Sequence, residues 1–312
     1  MSLAPQIEPK PGAPFFTVVT PAFNSERFIG ETMRTVAMQR EGGRVRVEHI
    51  VMDGGSTDRT AEIVAKWAHP DTRYVRRPDK GPADAINNGL ALARGDFLCW
   101  LNSDDEYLPY ALERAAYVLG RHPKRAFCFG HCPIIDAHGR EIRRFVTRFK
   151  NFFFPISCHA LIRTLNYVSQ PAVVFRRSAW EKAGPLRTDM KAAWDYDLWL
   201  RLWRQGGAVM VPHPDMACFR WTPGSISGSS FERQFREELD AAQADAGIWA
   251  PTSIVHHVLV HGVVFLYKHL SRHPKPVAEE RIDRETPQTM AFPERERPPE
   301  AAPAGGETEG AR

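Results

Sequence analysis

Between residues 15 and 119 the chain alternates strand and helix signals: short apolar, β-rich runs, each followed by a helical pattern. The apolar runs fall at 15–20, 45–52, 73–76 and 96–101. Helical patterns follow at 24–39, where Asn24 is placed to cap, from the 53–58 turn through Trp67, at 83–93 and at 109–119. On 83–93 the residues Ile86, Leu90 and Ala93 share a face. Strands separated by helices build a parallel sheet with helices on both faces. The spacing therefore predicts an α/β fold, and it also predicts where chemistry takes place. Ligands of open α/β sheets sit outside the carboxyl ends of the strands. Polar clusters end three of the strands, at 20–24, 53–58 and 102–105, and one crevice should collect them.

The second half is less regular. Strands are expected at 127–135 and 173–175, and a helix at 194–205. Residues 140–167 are basic and aromatic, with Arg143, Arg144, Arg148, Lys150 and Arg163 among Phe145, Phe149, Phe152, Phe153 and Phe154. That mixture suits an acceptor-side flap, a membrane-contacting surface or a partly buried connector. Residues 254–270 are apolar but interrupted by His256, His257, His261, Gly262 and Lys268. They fall short of the roughly 20 apolar residues that a spanning helix needs. An interfacial helix, a helix packed back on the domain and a dimer contact are the readings they leave.

Composition enters mainly by exclusion. A 312-residue chain with 43% hydrophobic and 25% charged residues is an ordinary globular protein with a sizeable core. A net charge of +4 makes no case for a nucleic-acid partner. Five cysteines, an odd number, point to a reduced, cytoplasmic compartment, and residues 1–14 show no secretory leader. Residues 274–312 carry almost no large apolar side chains and cannot bury enough surface to offset their chain entropy. The expected organisation is a flexible arm over 1–14, a folded domain over 15–235, a helical extension over 236–273 and a disordered tail over 274–312.

Four motifs carry chemical information. In Asn102-Ser103-Asp104-Asp105, adjacent carboxylates at a strand end repel each other unless a cation or donors compensate. A hard divalent ion with oxygen ligands would do so and could bridge a diphosphate; a solvated turn with one Asp capping the next helix is the other reading. In Asp53-Gly54-Gly55-Ser56-Thr57-Asp58 the glycines permit close backbone approach ahead of a helix N-terminus. Asp53 could accept from a base or ribose there, or Ser56 or Asp58 could simply cap the helix. Asp195, in Trp194-Asp195-Tyr196-Asp197, stands near a helix start as a general base or as a cap. Asp84 and Asn87 stand one turn apart and either cap their helix or face the crevice. No P-loop, no G-x-G-x-x-G after the first strand and no G-x-S-x-G elbow is found. Cys128, His131, Cys132, Cys158 and His159 lack the paired spacing of a zinc site.

Taken in order, five segments resemble the family 2 inverting glycosyltransferases over about residues 15–230. They are Thr20-Pro21-x-x-Asn24, Asp53 to Asp58, Lys80-Gly81 to Asp84-Ala85-x-Asn87-x-Gly89, Gly95-Asp96 with Leu101 to Asp105, and Asp195-x-Asp197-Leu198-x-Leu200-Arg201. The resemblance implies a GT-A fold: a mostly parallel, Rossmann-like nucleotide-binding sheet flanked by helices, here with a C-terminal helical extension. It implies a nucleotide-sugar donor, with a UDP-sugar favoured, a divalent metal, Mg²⁺ or Mn²⁺, and a glycan or lipid-linked acceptor. By position, Thr20, Pro21, Asn24 and Asp53 would hold the nucleoside, with Asp84, Asn87, Asn102 and Ser103 around the same pocket. Asp104 would ligate the metal, with Asp105 helping directly or through water, and Asp195 would be the general base. The sequence departs from the family pattern at Asn102, where the first acidic residue of the D-x-D motif is usual, at Trp194, and at Thr222, where a His often lies in R-x-H-x-G-S. Gln170-Pro171 resembles a family segment near the acceptor. A lipid-linked acceptor would bring peripheral contact with the inner face of the plasma membrane, through 140–167 or 254–270.

Two competitors remain at this stage. A nucleotidyltransferase shares the sheet and the metal, but usually carries a Gly-rich basic loop that Pro21-Ala22-Phe23-Asn24 is not. A non-catalytic nucleotide-sugar or glycan-binding module would keep the fold, and the retention of Asp53, Asp104 and Asp195 speaks against it.

Overall fold

The computed structural model describes residues 9–222 and 231–270. The expected tail at 274–312, residues 1–8 of the expected arm, 271–273 of the extension, and Pro223, Gly224 and Ser225 lie outside the described residues.

The first half alternates as its apolar periodicity predicts: β1 (Phe15–Ala22), α1 (Ile29–Met38), β2 (Arg46–Asp53), α2 (Thr60–Trp67), β3 (Thr72–Arg76), α3 (Pro82–Ala91), β4 (Phe97–Trp100), β5 (Glu106–Tyr107) and α4 (Ala111–Arg121). There follow β6 (Phe127–Phe129), β7 (Ile134–Ile135), β8 (Glu141–Ile142), α5 (Arg144–Phe152), α6 (His159–Thr164), β9 (Val173–Arg176), α7 (Arg177–Ala183), α8 (Trp194–Trp203), β10 (Ala208–Met210), β11 (Ala217–Arg220), α9 (Phe231–Ala246) and α10 (Pro251–Leu270).

Seven strands form the main sheet in the order β10-β6-β9-β4-β1-β2-β3. Only β9 is reversed; it pairs antiparallel with both β4 and β6, and every other neighbouring pair is parallel. β1 is buried along most of its length, as a central parallel strand must be. Its side chains alternate between the two faces. Phe16 and Val18 pack with Val36, Leu112 and Leu119, whereas Val19 packs with Ile86, Leu90, Trp100 and Trp199. α3 lies so close to β1 that a Cβ at Gly89 would meet Val19 Cγ1 at 2.5 Å. A smaller sheet, β5-β11-β7-β8, stands beside the first.

Three local expectations are corrected. The first helix starts at Ile29 rather than Asn24, because Asn24 takes a left-handed φ of 48° and turns its amide toward the next loop. The 127–135 strand is two short strands, since at Gly130 the chain runs against Met216, where a Cβ would meet Sδ at 2.6 Å. The 109–119 helix begins at Ala111, after Tyr110 in a left-handed conformation.

Candidate active site

The registers bring the carboxyl ends of β1 and β2 level, with Ala22 opposite Asp53, and end β4 three residues earlier, with Trp100 opposite Val19. The loops that leave these ends are laced together. Asn24 Oδ1 accepts from Thr57 N at 2.9 Å, and Asn24 N donates to Ser56 Oγ at 2.9 Å. Ser25 Oγ lies 2.8 Å from Ser103 Oγ. The result is a cavity of about 730 Å³, a size that suits a small-molecule or cofactor site. Pro21, Ser25, Gly54, Asp79, Asn102, Ser103 and Asp104 line one part of it, and Lys150, Gln170, Trp194, Asp195, Trp221 and Gln234 another.

Of the residues expected at the site, Pro21, Asn102, Ser103, Asp104 and Asp195 thus share one cavity. Others stand behind it. Asp53 is buried and accepts from Gly55 N at 3.0 Å, Ser56 N at 2.7 Å and Tyr74 Oη. Burial alone would raise its carboxyl, but these hydrogen bonds hold it below the ordinary carboxylate range. Asp53 therefore shapes the 53–58 turn from beneath. Thr20 is fully buried, with Oγ1 2.8 Å from His49 Nε2. Asp84 accepts from Lys80 N at 3.0 Å, and so caps the turn into its helix. Asn87 spends both ends of its amide on Leu186, donating to O and accepting from N at 2.8 Å each. It ties α3 to the loop before α8 and is not a cavity wall.

Asp104 and Asp105 part company. Asp105 has no exposed surface; its Oδ1 accepts from Arg220 N at 2.9 Å and its Oδ2 from Asn102 Nδ2 at 3.0 Å. With both oxygens engaged inside the protein, it leaves the candidate metal set. Asp104 faces the cavity. Burial raises its carboxyl, against the pull of Arg220, and raises Asp105 well above the ordinary range, with the Asp104 charge adding to it. Arg220 is the counter-charge. Its buried guanidinium donates to Asp104 O at 2.9 Å, Asp136 O at 3.0 Å, Glu31 at 2.7 Å and Glu106. A carboxylate with little water, hard oxygen chemistry and a free edge on the cavity fits a divalent ion such as Mg²⁺ or Mn²⁺.

Asp195 is the second residue of α8. Burial lifts its carboxyl to about 6, with Tyr196 N–H and Lys150 pulling down and Glu238 pushing up. The helix start that carries it is held from α9. Glu237 accepts from Lys191 N, Ala192 N and Ala193 N at 2.8–3.0 Å, capping three consecutive amides just ahead of Trp194. Buried Glu238 accepts from Asn166 Nδ2 at 2.9 Å and Gln234 Nε2 at 3.0 Å.

Sequence reasoning missed Asp79, Trp221, Gln234, Glu237 and Glu238, whereas Lys150 belongs to the basic, aromatic stretch for which an acceptor-side flap is one reading. Asp79 carried a signal, since it stands in the short turn between the third strand and the next helix. A Cβ at Gly54 would meet its Oδ2 at 2.5 Å, so the first glycine of the 53–58 turn makes room for it. The others arrive from distant elements and had none.

A mostly parallel sheet with its cavity at the strand ends, an acidic strand end on one wall and a helix-borne carboxylate on another, defines the GT-A class. The model of glycosyl transferase family 2 matches residues 17–184, and the chain belongs to that family. A "PGL/p-HBAD biosynthesis glycosyltransferase" of Mycobacterium bovis (strain BCG / Pasteur 1173P2) is 29% identical over 194 residues, 60% of this chain and 69% of that protein. The share of a curated relative's length that this chain spans falls to 66% for an uncharacterized Mycobacterium tuberculosis protein and to 14% for an O-antigen biosynthesis protein of Myxococcus xanthus. Two solved structures share the fold. S. aureus TarS 1–349 in complex with UDP-GlcNAc has a TM-score of 0.61 at 18% identity, covering 81% of this chain and 73% of that one. The mannosyltransferase PcManGT from Pyrobaculum calidifontis, in complex with GDP-Man and Mn²⁺, has a TM-score of 0.60 at 22% identity, covering 85% and 73%.

Proposed function

We propose that this chain transfers a sugar, with inversion, from a nucleoside-diphosphate sugar to a hydroxyl of a glycan or lipid-linked saccharide. Asp195 is the general base, and Asp104 holds a divalent ion, Mg²⁺ or Mn²⁺. The observation that carries the reading is that both carboxylates open on the same cavity while Asp53 and Asp105 are tied up behind it. Inversion needs one carboxylate to take the acceptor proton as the hydroxyl attacks the anomeric carbon. A carboxyl raised to about 6 is still ionised at neutral pH, yet it is a stronger base than an ordinary Asp. A divalent ion at Asp104 would supply Lewis-acid stabilisation to the leaving diphosphate. Asn102 and Ser103 line the cavity beside that position, as do Pro21 and Gly54 at the ends of β1 and β2. Trp194, packed against the core, and Trp221, with the Arg143 guanidinium 4.0 Å over its ring, complete this wall. The UDP-GlcNAc complex of TarS supports a uridine donor, and the Mn²⁺ complex of PcManGT supports the metal.

The acceptor side supports a lipid-linked substrate used at the cytoplasmic face of a membrane. α5 contributes Lys150 and Val146 to the cavity and leaves Phe145, Phe149 and Phe152 exposed on its outer side. On α10, Ile254, Val255, Val258 and Leu259 are exposed, and buried His256 anchors this helix to Arg163 O of α6 at 2.8 Å. Apolar side chains among arginines form the pattern of an interfacial surface. Among the described residues no helix is long and apolar enough to cross a membrane.

The test is a melting-temperature panel of UDP, GDP and dTDP with and without Mn²⁺, run on wild type and Asp104→Asn. A ligand that binds only the native state raises its stability. Metal-dependent stabilisation by one diphosphate, lost in the variant, is the expected result. Equal stabilisation of both proteins would remove Asp104 from the site.

A further inference from the structure

The strands β6 and β10 run parallel to β4, so their carboxyl ends emerge on the same sheet edge as the cavity, on the far side of β9. His131 follows β6, and His213 and Asp215 follow β10. One ligand atom from each of these three side chains lies within 4.8 Å of the other two. The two imidazoles stack with ring centroids 3.6 Å apart at 13°, and His213 Nδ1 stands 3.4 Å from Asp215 Oδ1. His131 is buried, and its Nδ1 has no hydrogen-bond partner, although a buried polar atom usually finds one.

The backbone around these groups is held firmly. Arg114, itself buried, donates to Pro214 O and Asp215 O at 2.7 Å each, gripping the two carbonyls beside His213. Met216 N donates to His131 O at 2.8 Å and fixes one ligand loop against the other. On this fixed backbone the His213 side chain is exposed and that of Asp215 is half-buried.

From this arrangement we infer a second metal site, built from His131, His213 and Asp215 and distinct from the donor cavity. Two imidazole nitrogens and one carboxylate oxygen form a borderline donor set, which prefers zinc-like cations to Mg²⁺ or Mn²⁺. Zn–N bonds of about 2.0–2.1 Å place neighbouring ligand atoms a little over 3 Å apart. A shift of the exposed His213 ring and the half-buried Asp215 carboxylate toward His131 would supply that contraction. A water would complete a tetrahedron. The bound ion would join the β6–β7 and β10–β11 connections, which sequence places far apart. The cysteines near His131 in sequence are not needed: Cys128 and Cys132 are buried and free.

The test is calorimetric titration of Zn²⁺ alone into the full, untagged, metal-stripped chain. Wild type should bind one equivalent per chain with a raised melting temperature. His213→Ala, at an exposed side chain, and Asp215→Asn, an isosteric change, should each weaken that binding at least tenfold while melting like wild type in chelator. Asp104→Asn should keep the zinc site, which separates it from the donor metal, and His257→Ala should keep it too. If wild type binds zinc no more tightly than His213→Ala, or if His257→Ala abolishes binding, the site is not this cluster. Neither outcome depends on the transferase reading.

Discussion

Asp195 joins two properties in one side chain, because the environment that makes it a better base also costs stability. Its carboxyl is raised to about 6 from an unfolded value near 3.8. Turnover should therefore rise with pH through about 6 as the base ionises, and a pH–rate profile reads that limb directly. The stability effect has the opposite sense. At neutral pH the charged form is held in a site that disfavours it. This penalty shrinks as pH falls from about 6 toward the ordinary carboxylate range. Asp195→Asn should melt higher than wild type at pH 8 and lose that advantage toward pH 4. Arg220 is the contrasting case: Arg220→Met would leave Glu31, Glu106 and the Asp104 carbonyl without their donor. A loss of about 3–5 kcal/mol in urea unfolding is expected from breaking a buried ion pair. The place of Asp104 and Asp195 on the cavity was legible in sequence because each sits just after a strand or at the start of a helix, where local pattern reveals direction. The roles of Asp105, Thr20 and Asn87 were not, because their partners are Arg220, His49 and Leu186, and no local pattern names a partner that far away.

At the scale of elements, α9 is part of the site rather than an appendage. Glu237 caps the amides that precede α8, and Gln234 and Phe235 line the cavity. Glu237→Gln should lower kcat by about 10- to 100-fold, the scale of an ångström-sized misplacement of a reacting group, and leave diphosphate affinity unchanged. A parallel fall in donor affinity would mean that the helix is merely destabilised. The tight seat of α3 on β1 gives a second prediction. Gly89→Ala should cost about 1–3 kcal/mol by overpacking against Val19, read by thermal or urea unfolding. The alternation of β1 to α4 was legible because each apolar run there is bounded by turn chemistry. The reversal of β9 was not, because an apolar run of four residues has no sign of direction.

Across the whole molecule, the proposed reading runs from a donor at the strand ends, through a base on α8, to an acceptor side at α5 and α10, where apolar side chains are exposed. Sedimentation with vesicles tests that surface. Wild type should bind phosphatidylglycerol vesicles more than phosphatidylcholine vesicles, and Phe145→Ser/Phe152→Ser should lose most of that binding with its fold intact. The measurement closest to the centre is nucleoside-diphosphate release from the donor that the melting panel selects, compared between wild type and Asp195→Asn, with donor affinity measured in parallel. Release should fall by at least about 100-fold, within the range for removing a general base, while donor affinity is unchanged. Undiminished release by Asp195→Asn would contradict the assignment of the base and, with it, the inverting mechanism drawn through this cavity.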